Sequence, residues 1–162
     1  MSCIRGSQAR IDTSQRIAPE ALCHLLEREI RGSVASVMAF DAATATLQLI
    51  AGNSLPTLLR QRTRRIRVGA QFGSCGAAAY WRNTIVTRDI QRDPRWKNVR
   101  TAARRAELRS CWSTPIITPD HGLLGTLAVY TNRVGSPEPR AVEMTSAVAS
   151  LLVPSLMRRR AC

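Results

Sequence analysis

Three observations predict an α+β fold with one central antiparallel sheet and helices packed on its faces. Apolar residues recur at helical spacing near both ends of the 162-residue chain. Short runs of β-branched or alternating residues lie between those ends. The connection at 118–122, Thr-Pro-Asp-His-Gly, is short and rich in turn residues, as a hairpin requires. A mass of 17.9 kDa suits one domain with a real core rather than two.

Each element has its own justification. Residues 1–16 are polar and aperiodic and read as a flexible tail before a domain at 17–157, with a basic tail at 158–162. A helix is expected over 19–31. Pro19 suits its first turn, Leu22, Leu25, Leu26 and Ile30 form the apolar stripe, and Gly32 closes it. Strands follow at 33–40 and 45–51, the second with Leu47, Leu49 and Ala51 alternating with other residues, and 41–44 make the turn. Residues 55–61 read as a short helix and 64–68 as a strand. The glycine-rich stretch 69–76 then feeds a short helix opening with Ala77, Ala78 and Ala79. After a strand at 84–87, residues 89–109 form a polar, partly helical insertion in which Asp93 caps a short helix. Strands at 110–117 and 123–130 form the hairpin, and 138–153 the final helix, which Pro154 is expected to end or kink.

Five stretches, in this order, carry a family resemblance: Gly73-Ser-Cys-Gly-Ala-Ala-Ala79, Ile85-Val-Thr-Arg-Asp-Ile90, Asp93-Pro-Arg-Trp96, Leu108-Arg-Ser-Cys-Trp-Ser-Thr-Pro-Ile116 and Gly125-Thr-Leu-Ala-Val-Tyr130. Together they resemble the GAF family of sensory domains over about 19–153, in the subgroup found upstream of bacterial histidine kinases and diguanylate cyclases. The resemblance implies a GAF/PAS-like sheet of five to six strands and a ligand pocket between the sheet and the insertion at 53–109. It also implies a homodimer built on the first and last helices, for which Leu22, Leu25, Leu26, Ile30, Val148, Leu151 and Leu152 are candidate seam residues, unless they cover the sheet instead.

A glycine-rich turn entering a helix leaves its first backbone amides without intrahelical partners, at the positive end of the helix dipole. Cys75, Gly76, Ala77 and Ala78 are the expected amide donors for a small anion. Similar nitrate-binding GAF receptors hold their anion in this way under an apolar and aromatic lid. Trp112, Pro115 and Ile117 are expected to line that pocket, with Trp96 and Tyr130 as further candidates. Cys111 and Trp112 are neighbours on one strand, so their side chains face opposite sides of the sheet.

Other chemistries lack the residues they need. Five cysteines without a C-x-x-C pair argue against a disulfide framework and a zinc site and suit a reducing cytoplasm. Only His24 and His121 are available as bases or metal ligands, so neither a metal nor a heme is expected. Cys23-His24 is the one pair of the kind that related domains use to attach bilin, and it lies on the first helix, outside the pocket. The N-K-F-D-E motif of cyclic-nucleotide GAF domains is absent. One GAF branch reduces free methionine sulfoxide. Cys75 matches one of its cysteines, but the segment 89–109, where that branch carries its nucleophile, holds none. No cofactor is expected, and a non-catalytic domain is. No apolar run is long enough to span a membrane, and a secretory signal is not expected.

The charge is +13, with 24 basic and 11 acidic residues. Every basic residue but Lys97 is arginine. Residues 60–109 carry 14 basic side chains against Asp89, Asp93 and Glu107. Arg60, Arg62, Arg64, Arg65 and Arg67 are spaced to share a face, and Trp81 and Trp96 are aromatics that could stack on bases. The leading reading is a cytoplasmic, non-catalytic sensor of a small, anionic ligand that signals through its terminal helices to a partner or output domain. The alternative is a basic nucleic-acid or protein-binding module, with nucleic acid the less expected of the two; the reductase comes third.

Overall fold

A computed structural model describes residues 17–161; the expected tail at 1–16 lies outside them. The chain runs α1 (Pro19–Glu29), β1 (Ser33–Asp41), β2 (Thr46–Ala51), α2 (Thr57–Arg62), β3 (Arg65–Arg67), α3 (Gly73–Trp81) and β4 (Ile85–Thr87). A 3₁₀ turn (Pro94–Trp96), α4 (Arg100–Arg105), β5 (Ser110–Ile117), β6 (Leu123–Thr131) and α5 (Pro139–Arg160) complete it. The six strands form one antiparallel sheet in the order β3-β2-β1-β6-β5-β4. The α+β class and the strand count are as expected.

The pleat divides the interior into two layers, because successive side chains on a strand leave opposite faces. On one face α1 and α5 bury Leu22, Leu26, Val148, Leu152 and Leu156 against Val37, Trp112, Ile116 and Val129. On the other, α2 to α4 and the 3₁₀ turn bury Leu59, Cys75, Trp96 and Ala103 against Met38, Leu47, Cys111 and Tyr130. The first eight residues of β6 are buried on both faces, which makes it the centre of the molecule. Four of the seven candidate dimer-seam residues, Leu22, Leu26, Val148 and Leu152, cover the sheet instead, and Leu25 and Ile30 are half-buried against the same core.

Several element boundaries depart from expectation by a residue or two, and three departures have a clear physical cause. Helix α1 stops at Glu29 rather than 31, because Ile30 leaves helical geometry ahead of Gly32 at φ +75°. Helix α3 starts at Gly73, four residues before Ala77. Gly76 already donates its amide to the Phe72 carbonyl at 3.1 Å, and a Cβ at Gly76 would lie 2.6 Å from the Arg67 carbonyl oxygen. Helix α5 is neither ended nor capped at Pro154. A helix-interior proline costs about 3 kcal/mol. Here Pro154 faces solvent while Leu152 and Leu156 on either side are buried against the sheet, and that burial holds the helix through it. Arg158, Arg159 and Arg160, expected as a tail, form its last turn, where they complement the helix dipole.

Candidate functional site

The first half of α3 lies over the centre of β5 and β6. Its residues Ser74, Cys75, Gly76, Ala77, Ala78 and Ala79 are all buried, and small side chains let the helix approach the sheet closely. Beneath Cys75 lies a group of hydroxyls. Ser113, Thr126 and Tyr130 all approach its sulfur, and the Tyr130 hydroxyl is hydrogen-bonded to Ser36 Oγ at 3.1 Å. Ser36, Ser113 and Thr126 have no solvent exposure. Ser113 Oγ and Thr126 Oγ1 have no hydrogen-bond partner of ordinary geometry. A buried hydroxyl without a partner is destabilising by about 1–3 kcal/mol, and the one group that both of these approach is the Cys75 sulfur, a weak acceptor.

Burial disfavours the thiolate form of both cysteines in this layer. Burial pushes the Cys75 thiol up despite the hydroxyls around it, and pushes Cys111 well up, helped by the neighbouring Cys75. Burial likewise raises the Tyr130 hydroxyl well above its usual range. Among the described residues no group of three or more His, Cys, Asp or Glu side chains is placed to hold a metal ion.

A second network ties the start of α3 to the insertion. Trp96 Nε1 donates to Ser74 Oγ at 3.1 Å, Ser74 and Thr87 share a hydrogen bond of 2.9 Å, and Thr87 Oγ1 donates to Asp93 Oδ2 at 2.9 Å. Asp93 caps the 3₁₀ turn as expected, accepting from the Arg95 amide at 2.9 Å, and it also pairs with the Arg95 guanidinium. This network faces a surface cleft of about 510 Å³ lined by Ala70, Gln71, Asp89, Arg92, Asp93 and Arg95.

Burial pushes the Asp93 carboxyl up, but the Arg95 side-chain and backbone hydrogen bonds, Thr87 and the Arg95 charge together hold it below its usual value. A depressed carboxylate stabilises the fold above its unfolded pKa of about 4, and that contribution is lost as pH falls through the folded value. Replacing Asp93 by alanine is expected to destabilise the domain by about 1–2 kcal/mol at neutral pH. The difference in melting temperature from the unsubstituted protein should shrink as the buffer is taken from pH 7 to pH 3. A constant difference would show that the carboxylate charge contributes nothing.

The structure gathers some of the expected site residues and separates others. Cys75, Trp96 and Tyr130 lie in one layer, with the Trp96 and Tyr130 rings edge to face at 6.2 Å. Gly76, Ala77 and Ala78 are in the same helix, but their amides bond within it or to Phe72. The first-turn amides without intrahelical partners are therefore those of Gly73, Ser74 and Cys75. Trp112 is on the opposite face and donates from Nε1 to Thr145 Oγ1 of α5 at 3.0 Å. It cannot line a pocket under α3. Pro115 and Ile117 are half-buried further along β5 and join neither core cluster. Trp96, considered as a stacking platform, is in the core at 3% exposure. Ser36, Ser113 and Thr126 were not among the expected site residues. Their signal was hydroxyl side chains within strands that are otherwise apolar.

A family model for the GAF domain matches residues 13–155. A curated sensor associated with methyl sulfide methyltransferase, from Methanosarcina acetivorans, is 27% identical over 112 residues, covering 69% of this chain. The chain spans 11% of that protein's length. Among solved structures, the GAF domain of a Coxiella burnetii phosphoenolpyruvate-protein phosphotransferase superposes with a TM-score of 0.72 at 19% identity, covering 89% of this chain and 83% of that one. A domain described as belonging to a two-component sensor histidine kinase of Sinorhizobium meliloti gives 0.69 at 17% identity, covering 88% and 90%. The free methionine-R-sulfoxide reductase of Neisseria meningitidis gives 0.68 at 18% identity, covering 89% and 79%. Similarity at these identities is one of fold.

Proposed function

The chain belongs to the GAF domain family, and on that premise we propose that it is a non-catalytic sensory domain of the cytoplasm. It binds a small ligand between the first turn of α3 and the β5–β6 hydroxyls. The observation that carries this reading is the pair of fully buried, unpartnered hydroxyls Ser113 Oγ and Thr126 Oγ1 beneath Cys75. A small hydrogen-bonding ligand would satisfy both. An anion is the first class to test, since the Gly73, Ser74 and Cys75 amides have no intrahelical partner at the positive end of α3.

The domain, residues 17–157, would signal by population shift. Ser113 faces the ligand, while its neighbour Trp112 leaves the other face of β5 and bonds Thr145 of α5. A change in β5 is thereby felt by the terminal helix. Half-exposed Leu151 and Met157 on α5 support a second copy or an output partner there. The free, buried Cys23, Cys75 and Cys111 suit a reducing compartment. A reductase needs an accessible thiolate, and burial raises both thiols of this layer.

The test is a thermal-shift panel of nitrate, nitrite, phosphate and small carboxylates on the unsubstituted protein and on Thr126→Val. A ligand of the native state raises the melting temperature, and the gain grows with the logarithm of its concentration above Kd. Thr126→Val keeps the side-chain shape and removes an unpaired hydroxyl. It is expected to be as stable as the parent, or more stable by up to about 2 kcal/mol, yet to lose the ligand-induced shift. No shift with any anion removes the anion. A shift that survives in Thr126→Val removes this site.

A further inference from the structure

We propose that the cleft between the end of α1, the start of α5 and the sheet is a second binding site, for a small organic acid with an apolar body. The cleft has a volume of about 620 Å³, which suits a small organic molecule better than a bare ion. It lies on the α1/α5 side of the sheet, the opposite side from Cys75, and stands independently of the α3 site. A row of hydroxyls runs across its floor, because Ser33 of β1, Thr131 of β6 and Ser110 of β5 stand opposite one another in the ladder. Directly opposed residues leave the same face of a sheet, here the face of Trp112, two residues along from Ser110. Ser110 and Thr131 share a hydrogen bond of 2.7 Å. Ser33 Oγ, next in the row, is buried and has no hydrogen-bond partner.

The rest of the cleft divides into a charged rim and an apolar wall. Arg31, Arg133 and Arg140 line it, are exposed, and form no ion pair among the described residues. Glu29 and Glu138 line it too. Glu29 is drawn to Arg28 at 3.8 Å, so three arginines face one carboxylate that has no ion pair of its own. Helix α5 starts here with no side-chain cap and no acid in its first turn, and its positive end adds to the arginines. Guanidinium groups take a carboxylate in bidentate geometry. The wall is Ile30, Trp112 and Met144, all packed in the α1/α5 core layer. A carboxylate head between the arginines and the Ser33 hydroxyl, with its hydrocarbon body on this wall, uses both parts of the cleft. An amine of the same shape meets the arginines as like charges.

The probe is isocaproate, titrated with the full chain and read by ligand-observed NMR at physiological salt. Isoamylamine, isocaproamide and inorganic phosphate are run beside it. Isocaproate is expected to bind the tightest of the four, and isoamylamine not at all. The double variant R133A/R140A should weaken isocaproate by about tenfold or more, and Ser33→Ala by about fivefold, since each removes hydrogen-bond donors to the carboxylate. Ser33→Ala deletes a hydroxyl that has no partner, so the variant is expected to keep its thermal transition. The variant R158A/R159A removes the same charge at the far end of α5, where salt screens it, and should weaken binding by less than about twofold. Thr126→Val, on the other side of the sheet, should leave it unchanged. No binding of isocaproate, equal or tighter binding of any other probe, or equal weakening by the two double variants overturns the proposal. Binding that Thr126→Val abolishes and Ser33→Ala keeps also overturns it, and assigns the acid to the α3 site. A carboxylate effect that Ser33→Ala abolishes and Thr126→Val keeps supports this cleft and counts against the α3 site alone, so the two readings fail separately.

Discussion

Replacing Trp112 by alanine is expected to cost about 3–5 kcal/mol of unfolding free energy, the range for deleting a buried large aromatic side chain. The residue is 2% exposed, sits between the sheet and the α1/α5 layer, and is among the largest fully buried side chains. Its loss leaves a cavity that the helices cannot fill without moving off the sheet. The Thr145 hydroxyl is not orphaned, because it also donates to the Ala141 carbonyl at 2.7 Å. The penalty therefore comes from packing, and Trp112→Phe, which loses the indole hydrogen bond but keeps most of the volume, is expected to cost only about 1–2 kcal/mol. Urea denaturation of both variants measures this. Domains of this kind have about 5–15 kcal/mol in total, so the alanine variant should be partly unfolded at physiological temperature. A cost below about 1 kcal/mol for alanine would mean that Trp112 does not join the two layers.

Gly125→Ala is expected to be at least as damaging as an ordinary overpacking substitution, about 3 kcal/mol or more. A Cβ built on Gly125 would lie 2.0 Å from the Met38 carbonyl oxygen and 3.0 Å from Leu156 Cδ2. Leu156 can rotate away. The Met38 carbonyl cannot, because it belongs to β1, which pairs with β6 at the centre of the sheet with Ala39 opposite Gly125. Relief requires parting the two central strands. Gly32→Ala is the comparison. It has φ +75° but meets nothing closer than the Asn132 side chain at 3.6 Å, so it should cost only the left-handed backbone penalty of about 1–2 kcal/mol. If chemical denaturation ranks the two the other way round, the close approach at Gly125 is not what sets its cost.

Much of the scaffold was legible because local rules agree with the fold. The two hairpin strands of β5 and β6 were placed within a residue, since their alternation and the Thr118–Gly122 turn point to the same pairing. Asp93 was legible as a cap because Asp-Pro before a short helix has a local mechanism. Two of the misplacements came from longer-range packing. Pro154 breaks helices by a local rule, and α5 runs through it because Leu152 and Leu156 are held by residues far away in sequence. The start of α3 shifted to Gly73 because Phe72 and Arg67, in the preceding loop and strand, occupy the space beside Gly76.

The candidate site was legible in its helix and not in its floor. Cys75 stood out because glycines surround it, and Trp96 and Tyr130 because large aromatics are few in this chain. Which face Trp112 takes depends on one residue of strand register, and a one-residue difference moves a side chain to the other side of the sheet. Ser113 and Thr126 are ordinary strand residues in the sequence. They became candidates only once both were found buried, near the Cys75 sulfur and without ordinary partners.

By itself, then, the sequence determined the α+β class, the strand and helix order, the GAF membership and the concentration of arginine in the middle of the chain, since all of these are written in local pattern and composition. The tertiary structure decided which hydroxyls approach Cys75, which side of the sheet Trp112 serves, and that Arg158, Arg159 and Arg160 close a helix rather than trail from it. Those outcomes depend on pairings between residues far apart in the chain, such as β1 with β6 and α5 with β5. Such pairings are selected by the burial of the whole core rather than by any short stretch of sequence.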